Sequence, residues 1–319
     1  MSDFSNALQN PVTRPQRILV VDDESEIRDL IVDYLTDEGF KVFMAEDAQT
    51  ALDEILAKES IDLVLSDINM PGMKGFELLS KIREDYPHIK RVLITAYNVE
   101  DYLDLALKYD MGNIFVKTTP FNFHELMTML DNLLSGEIFG IQKYFEPTNK
   151  TLKTYCIKQG KNLDEDAQKI VSWLPITDKS NKIELVLMEL LVNAIFYGIR
   201  KESGEAKDKW VYDFELSDND AIIVSSMFDA EKFAISITDK GGRLKKSDVL
   251  YWLNRQLAMD DKGLPLGVFD SHGRGFYIAR QYIDRLIINI SKNKQTEIII
   301  VNYFSDMYHG FKPLYINEL

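Results

Sequence analysis

The chain has 319 residues, of which 45% are hydrophobic, 11% aromatic and 28% charged, a composition that excludes a disordered or low-complexity protein. It carries 37 Lys and Arg against 51 Asp and Glu, a formal net charge of −14, so we expect no direct nucleic-acid partner. No stretch approaches the roughly 18 uninterrupted apolar residues of a membrane span and the first residues lack a secretion signal, so we expect a cytoplasmic protein without a membrane partner.

The net negative charge comes entirely from the first part of the chain. Residues 1–140 hold 12 basic and 26 acidic side chains, whereas residues 141–319 hold 25 of each. Such a break in composition, together with the length, predicts at least two domains.

The first part alternates short apolar runs with amphipathic segments such as Glu24–Thr36 and Glu100–Tyr109. This alternation predicts an α/β fold over residues 16–135, a doubly wound five-stranded parallel sheet with helices between the strands. Ligands bind to such sheets outside the carboxyl ends of the strands. The predicted strands are Arg17–Asp22, Lys41–Glu46, Asp62–Asp67, Arg91–Thr95 and Asn113–Lys117.

Polar side chains stand at those strand ends. Asp22 and Asp23 end the first strand and Asp67 ends the third, so we expect three carboxylates to converge at one edge of the sheet. Carboxylates that close repel one another unless a cation joins them, and an all-oxygen cluster suits Mg²⁺. Thr95 and Lys117 end the fourth and fifth strands and add a hydroxyl and an ammonium. Together these groups can bind a phosphoryl group.

This set of residues resembles the receiver domain of bacterial two-component response regulators. The Asp pair, the segment Asp67–Gly75 (DINMPGMKG), Thr95 followed by Ala, and Lys117 occur in the order found in that family. The resemblance implies that Asp67 accepts a phosphoryl group from an upstream sensor histidine kinase. It further implies roles for the remaining residues: Asp22, Asp23 and Asp67 as Mg²⁺ ligands with the backbone carbonyl of Asn69, and Thr95 and Lys117 as phosphate contacts.

Two positions depart from the receiver pattern. The family usually has Pro directly after the lysine, whereas here Thr118 and Thr119 precede Pro120. The aromatic switch residue usually lies three positions before the lysine, and that position is Ile114. Phosphorylation of Asp67 is therefore better supported than the usual aromatic-switch response.

Residues 136–164 carry no strong motif and are predicted to be a linker. Just before them, the segment Phe123–Leu130 (FHELMTML) resembles the phosphoacceptor box of sensor histidine kinases, with His124 in the reactive position. The apolar residues around His124 have the spacing of a helix face packed on a sheet, which favours a structural helix. An atypical histidine kinase that labels His124 remains the less supported alternative.

The second part opens with a predicted apolar helix over Ile183–Gly198. Glu189 and Asn193 lie four residues apart on one face of it, and burying both is costly unless a partner such as a metal–nucleotide complex satisfies them. Gly273-Arg274-Gly275 opens another predicted helix whose free amides could face phosphate. The other predicted elements are a helix over Leu163–Leu174, strands over Trp210–Leu216, Ala221–Phe228, Lys232–Thr238, Leu286–Ser291 and Glu297–Phe304, and a helix over Phe276–Arg285.

The order of these motifs resembles the GHKL ATPase superfamily. Glu189 with Asn193, then Asp239 with Gly241, then Gly273 with Gly275, correspond to its three conserved boxes, and the local sequences are most like the anti-sigma-factor serine kinase branch. The resemblance covers residues 165–305 and implies an α/β sandwich that binds ATP, with residues 306–319 as a C-terminal tail.

The resemblance implies a role for each of these residues. Asn193 would coordinate an Mg²⁺ that bridges the ATP phosphates, Asp239 would accept a hydrogen bond from the adenine amino group, and Glu189 would be a general base. The glycines Gly241, Gly273 and Gly275 would let the backbone approach the nucleotide, and Arg274 would contact a phosphate. Two positions depart from the branch: Arg243 replaces a glycine, and Tyr197 replaces a histidine.

Together the two resemblances imply a response regulator whose output is a serine/threonine protein kinase or anti-sigma regulator controlled by phosphorylation of Asp67. Its partner would be an anti-sigma antagonist or a sigma factor. A non-catalytic, ATP-dependent partner-switching module is the alternative: Glu189 favours the enzyme and Arg243 the binding module. A homodimer remains open.

Overall fold

A computed structural model describes residues 15–146, 151–176, 180–202, 210–261, 263, 266–270, 273–305 and 308–319. The chain divides into two compact units, Met1–Arg91 and Val92–Leu319. The division lies inside the fourth strand and not near residue 140, where the charge balance changes. Within the described residues, no helix is both long and apolar enough to cross a membrane.

The first unit is a parallel sheet with β1 in the middle. Val21 of β1 is paired with Ala45 of β2 on one side and with Ser66 of β3 on the other. All of β3 is buried, as expected for a nearly continuous apolar run in a parallel sheet. The elements are β1 (Arg17–Val21), α1 (Ser25–Asp37), β2 (Lys41–Ala45), α2 (Ala48–Thr50) continuing as a π-helical turn (Ala51–Leu56), β3 (Leu63–Asp67) and α3 (Gly75–Asp85).

The second unit continues the same alternation and then changes character. Strands β4 and β5 are parallel, with Thr95 paired with Val116. Every strand predicted between residues 17 and 117 is present, so the α/β fold of this region is confirmed. The elements are β4 (Lys90–Thr95), a 3₁₀ turn (Val99–Tyr102) leading into α4 (Leu103–Tyr109), β5 (Asn113–Val116), α5 (Phe123–Ser135) and a 3₁₀ turn (Ile141–Tyr144).

The rest of the second unit adds a mixed sheet to β5. The strand order is β5-β11-β9-β10-β8-β7-β6, and the neighbours from β9 to β6 are antiparallel. The elements are β6 (Thr151–Ile157), α6 (Leu163–Ser172), α7 (Ser180–Val192) continuing as a π-helical turn (Asn193–Ile199), β7 (Ile222–Phe228), β8 (Lys232–Asp239), α8 (Lys246–Leu257), a 3₁₀ turn (Leu266–Phe269), α9 (Gly275–Tyr282), β9 (Arg285–Ser291), β10 (Gln295–Tyr303) and β11 (Leu314–Glu318).

The predicted strand Trp210–Leu216 is wrong. These residues form only an isolated bridge between Gln159 and Glu215. Their aromatic side chains pack instead around Phe196, whose ring is stacked on Trp210 with centroids 4.2 Å apart. Aromatic residues favour strands because they pack well on a pleated surface, and here a helix supplies that packing surface.

Two strands lie where we predicted a linker and a tail. Strand β6 falls within the predicted linker. Its side chains are mostly exposed, and backbone bonds to β7 hold it in the sheet. Strand β11 falls within the predicted tail, at residues 306–319, and its first four residues are buried. Neither strand shows hydrophobic alternation, which is the pattern that identifies a half-buried strand in sequence.

A buried polar cluster joins α5 to β9 and β11. Glu125 accepts hydrogen bonds from Arg285 Nε at 2.6 Å, from the Tyr315 hydroxyl at 2.7 Å and from Asn122 Nδ2 at 2.9 Å. Burial by itself lowers the pKa of Arg285, whereas the negative charge of Glu125 raises it. The net result is a pKa of Arg285 that lies above its ordinary value. The ion pair is therefore a charged contact inside the second unit.

We predict that Arg285→Ala destabilises the second unit by about 3–5 kcal/mol, because it leaves the Glu125 carboxylate buried without its cation. Urea unfolding followed by circular dichroism would measure the loss. Lys161→Ala is the matched control, since it removes an exposed ion pair with Asp213 that is worth about 1 kcal/mol or less. Equal unfolding midpoints for the two variants would contradict the prediction.

Candidate functional site

Two of the predicted carboxylates are neighbours at the edge of the first unit's sheet. Because Val21 is paired with Ser66, the next residues, Asp22 and Asp67, follow on adjacent strands about 5 Å apart. Both are buried. Asp22 Oδ1 accepts the Glu24 N–H at 3.0 Å, and Asp67 Oδ2 accepts the Asn69 N–H at 2.6 Å. The backbone after each strand therefore holds its carboxylate in place.

Asp23 follows Asp22 in the chain but differs from it in exposure. It is exposed, whereas Asp22 is fully buried. In the portions of the chain that the structure describes, no three His, Cys, Asp or Glu side chains are grouped closely enough to hold a metal. The first unit thus presents two juxtaposed, buried carboxylates, with the exposed Asp23 directly after one of them.

Thr95 and Lys117 are brought together in the second unit. They end adjacent parallel strands, and the Lys117 N–H donates to the Thr95 carbonyl at 2.8 Å. Thr95 is buried and its Oγ1 accepts the Tyr97 N–H at 3.0 Å, while Lys117 is half-buried. The backbones of Thr95 and Lys117 therefore lie next to each other where β4 and β5 end.

A cavity of about 590 Å³ lies elsewhere in the second unit and gathers four of the residues singled out from the sequence. Asn193 comes from the π-helical turn after α7, Asp239 from the end of β8, and Gly273 and Gly275 from the start of α9. The volume suits a ligand of nucleotide size. Its other lining residues are Ala194, Tyr197, Gly198, Lys201, Glu202, Arg243, Leu244, Asp248, Trp252, Phe276, Thr296 and Ile298.

The start of α9 packs directly on the end of α7. A Cβ atom at Gly275 would lie 2.8 Å from Asn193 Nδ2 and 3.5 Å from Glu189 Oε2. Only glycine allows this approach without a shift of the Asn193 amide. The predicted general base and the predicted metal ligand are therefore adjacent to the glycine loop, although the three segments are far apart in sequence.

Asp239 is held by a tight turn at the end of β8. Its Oδ1 accepts the N–H groups of Gly241 at 2.8 Å and Gly242 at 3.2 Å. A Cβ at Gly241 would lie 2.3 Å from the Gly198 carbonyl oxygen, so this position requires glycine. Burial raises the pKa of Asp239 to about 6 in spite of the two N–H bonds, which lower it. The cavity thus contains a buried carboxylate that can accept a hydrogen bond from a ligand.

Gly273 and Arg274 precede α9, and only Gly273 lines the cavity. Gly273 has a positive φ of 81°, and a Cβ there would lie 2.2 Å from the Trp252 ring, so both conformation and space require glycine. Arg274 is exposed, and its guanidinium donates to the Gly267 carbonyl at 3.3 Å. In this arrangement Arg274 bonds to the backbone and is not among the residues that line the cavity.

Sequence reasoning missed several residues that line the cavity. Thr296 is paired with Asp239 across β10 and β8, so the strand register brings it into the cavity. Asp248 and Trp252 lie one turn apart on α8, a helix we did not predict. The spacing of Val249, Leu250 and Leu253 was the available sign of that helix, because these residues form its buried face.

His124 lies on α5, where we predicted a structural helix. Its Nδ1 is 3.3 Å from a carboxylate oxygen of Glu146, and its Nε2 is buried. A histidine that receives a phosphoryl group needs a ring nitrogen open to solution. This environment disfavours His124 as a phosphoacceptor.

We predict that Asp239→Asn becomes progressively more stable than the wild type as the pH rises from about 4 to about 7. The ordinary pKa of the unfolded carboxyl is 3.8 and the folded one is about 6, so the folded state binds the proton more tightly. Below both values the carboxyl is protonated in either state, whereas above them burial of the anion costs roughly 3 kcal/mol. The amide carries no such cost.

Urea unfolding at several pH values measures this difference. Asp248→Asn, which changes an exposed carboxylate of the same cavity, is the control and should follow the wild type. A difference between Asp239→Asn and the wild type that does not vary with pH would rule out the buried anion.

Comparison with known proteins identifies the family to which residues 18–131 belong. The sequence profile described as the response regulator receiver domain matches residues 18–131. Response regulator protein FleR of Pseudomonas aeruginosa is 33% identical over 140 residues, which are 43% of this chain and 29% of FleR. Sporulation initiation phosphotransferase F of Bacillus subtilis is 35% identical over 111 residues, which are 35% of this chain and 87% of that protein.

A solved structure of response regulator protein TrrA of Thermotoga maritima, in complex with Mg²⁺ and BeF, is 39% identical to this chain. It matches 37% of this chain and 99% of its own, with a TM-score of 0.34. The chain thus spans nearly the whole of two relatives and less than a third of FleR. The matched residues 18–131 contain both strand-end pairs, Asp22 with Asp67 and Thr95 with Lys117. The chain belongs to the response regulator receiver family, and these residues form a two-component receiver domain.

Proposed function

We propose that this response regulator accepts a phosphoryl group on Asp67 and thereby controls an ATP-binding output region. The observation that supports the proposal is the cavity lined by Asn193, Asp239, Gly273 and Gly275. These residues come from three distant parts of the sequence, and the GHKL resemblance implies that each contacts a nucleotide or its metal ion.

In the receiver, the Asp67 carboxylate would attack the phosphorus of a phosphohistidine on an upstream sensor histidine kinase. An O–P bond forms to Asp67 as the N–P bond to the histidine breaks, and the histidine leaves with the bonding electron pair. The receiver resemblance implies that Lys117 and Thr95 contact the phosphoryl oxygens. Such a transfer depends on positioning and charge neutralisation more than on acid–base chemistry.

The chemistry of the strand-end residues fits Mg²⁺. The ion binds in proteins through one or two carboxylates together with phosphate oxygens, and Asp22 and Asp67 supply two adjacent, buried carboxylates. The backbone carbonyl of Asn69 and the neighbouring carboxylate of Asp23 would complete the set. When bound, the ion neutralises charge on the transferring group.

We predict that a small phosphodonor such as acetyl phosphate, with Mg²⁺, labels the wild type with one phosphoryl group that hydroxylamine removes. Asp67→Asn should take up none, because the amide is not a nucleophile. Asp33→Asn, an exposed carboxylate on α1, is the matched control and should be labelled like the wild type. Intact protein mass spectrometry gives the count, and equal labelling of Asp67→Asn would exclude Asp67.

In the output cavity, Asp239 would accept a hydrogen bond from the adenine amino group. Asn193 would ligand an Mg²⁺ on the phosphates, and the free amides at the start of α9 would face them. Lys201 and Arg243, which line the same cavity, would offset the phosphate charge. Glu189, beside Asn193, would take the proton of a serine or threonine hydroxyl on an anti-sigma antagonist as its oxygen attacks the terminal phosphorus. The new O–P bond forms as the bond from that phosphorus to the bridging oxygen of ATP breaks, and ADP leaves with the electron pair.

A partner-switching module without catalysis is the second candidate. Arg243, where the family has a glycine, lines the cavity, and its large side chain would change the geometry of the loop after β8 on which transfer depends. In that case the ATP-bound form would capture an antagonist or a sigma factor without modifying it.

We predict that Asn193→Ala weakens Mg²⁺·ATP binding at least tenfold, whereas Glu189→Gln retains binding and lowers phosphoryl transfer by about 100-fold or more, as expected for loss of a general base. Equilibrium binding and transfer from labelled ATP to a candidate antagonist would separate the two effects. Binding without transfer in the wild type would favour the partner-switching module. Absence of ATP binding would contradict both candidates.

A further inference from the structure

Residues 308–319, which we call the strap, connect three parts of the second unit. The strap contains β11, which lies between β5 and β9. It is antiparallel to β5, with Leu314 paired with Ile114, and parallel to β9, with Ile316 paired with Ile288. The final strand of the receiver is thereby hydrogen-bonded to a strand that is also part of the output sheet.

The strap also contacts the loop that follows Lys117. The Thr119 N–H donates to the His309 carbonyl at 2.8 Å, and the His309 N–H donates to the Thr119 carbonyl at 3.1 Å. A Cβ at Gly310 would lie 3.2 Å from Thr118 Cγ2, which shows how closely the two segments pack. The strap therefore fixes the backbone two residues beyond Lys117.

The strap also forms hydrogen bonds with α9. The buried guanidinium of Arg280 donates to the carbonyls of Pro313 at 2.6 Å and Lys312 at 3.1 Å. In return, Lys312 Nζ donates to the last carbonyls of α9, those of Arg280 and Gln281. Helix α9 has eight residues, and its first turn carries Gly275 at the cavity. Two reciprocal contacts thus tie the strap to the helix that begins at the ligand site.

A second connection runs beside the first. The Ile316 N–H donates to the Gly112 carbonyl at 2.8 Å, and Lys246 at the start of α8 forms a 2.9 Å ion pair with Asp110 at the end of α4. Helix α8 carries Asp248 and Trp252, which line the cavity. The segment that leads into β5 is therefore in contact with both the strap and a wall of the cavity.

We propose that the strap couples the receiver to the cavity, so that phosphorylation sensed at Lys117 changes ligand affinity through β11 and α9. The proposal rests on the functions proposed for Asp67 and for the cavity. A phosphoryl group can change the cavity only by favouring one of two arrangements of the elements between them. The strap is bonded to the loop after Lys117 and to α9, so a shift of that loop would be transmitted to Gly275. Coupling between sites in proteins is typically 5- to 150-fold in affinity.

The test uses the full chain and a fluorescent ATP analogue, titrated with Mg²⁺ in the presence and absence of beryllium fluoride as the phosphoryl mimic. We expect the wild-type Kd to change at least fivefold on addition of the mimic. Lys312→Met keeps the apolar stem of the side chain but removes its bonds to α9, and Arg280→Met removes the bonds in the other direction. In each variant we expect the Kd for the analogue with the mimic to lie within twofold of the Kd without it. Lys292→Met, an exposed lysine in the β9–β10 turn, should keep the wild-type ratio.

Hydrogen exchange with the mimic alone separates this inference from the proposed nucleotide site. In the wild type, the amides of 275–282 and 314–318 should change their exchange rates, and in Lys312→Met those of 275–282 should not. If the analogue fails to bind while these changes occur, the nucleotide proposal fails and the coupling stands. A wild type with unchanged exchange and Kd, or variants that keep the wild-type response, would overturn the coupling.

Discussion

Backbone pairing on both sides of β11 is the constraint on which the second unit depends. A strand with a neighbour on each side satisfies its own amides and carbonyls and those of the facing edges, and buried backbone groups left without partners are costly. Residues Leu314 to Asn317 are all buried, as this central position requires. Because β5 is paired with β11, the last receiver strand packs with the output sheet. The contacts therefore divide the chain at residue 91, although the charge balance changes near residue 140.

The same constraint explains where the polar groups of this region lie. The ion pair of Glu125 and Arg285 lies with the Tyr315 hydroxyl where α5 packs on β9 and β11. Each buried charge therefore has a partner of opposite charge. Just before β11, the guanidinium of Arg280 donates hydrogen bonds to the carbonyls of Lys312 and Pro313. The segment is thus held by directional bonds at both ends, an arrangement suited to transmitting small displacements because packed elements rearrange between discrete states.

The sequence predicted those parts whose physics is local. Continuous apolar runs identified the receiver strands, and strand-end position identified Asp22 with Asp67 and Thr95 with Lys117. The spacing of Glu189 and Asn193, with the two glycine motifs, identified most of the cavity's chemistry.

Strands β6 and β11 were not predicted, because one is exposed and the other is buried on both faces. Neither strand therefore shows hydrophobic alternation. Trp252, Asp248 and Thr296 enter the cavity through long-range packing and register, which no local pattern encodes. Asp23 and Arg274 are both exposed, which neither strand-end position nor a motif predicts, because exposure depends on the fold around each residue.

The central claim is that the receiver and the cavity share one equilibrium, and reciprocity gives its most direct measurement. If a phosphoryl mimic changes nucleotide affinity by a given factor, nucleotide must change the affinity for the mimic by the same factor. Beryllium fluoride can be titrated onto the full chain with Mg²⁺, first alone and then with saturating ATP analogue, and its Kd read by ¹⁹F nuclear magnetic resonance. A shift of at least fivefold is the expected result. An identical Kd in the two titrations, with the analogue bound, would contradict the account.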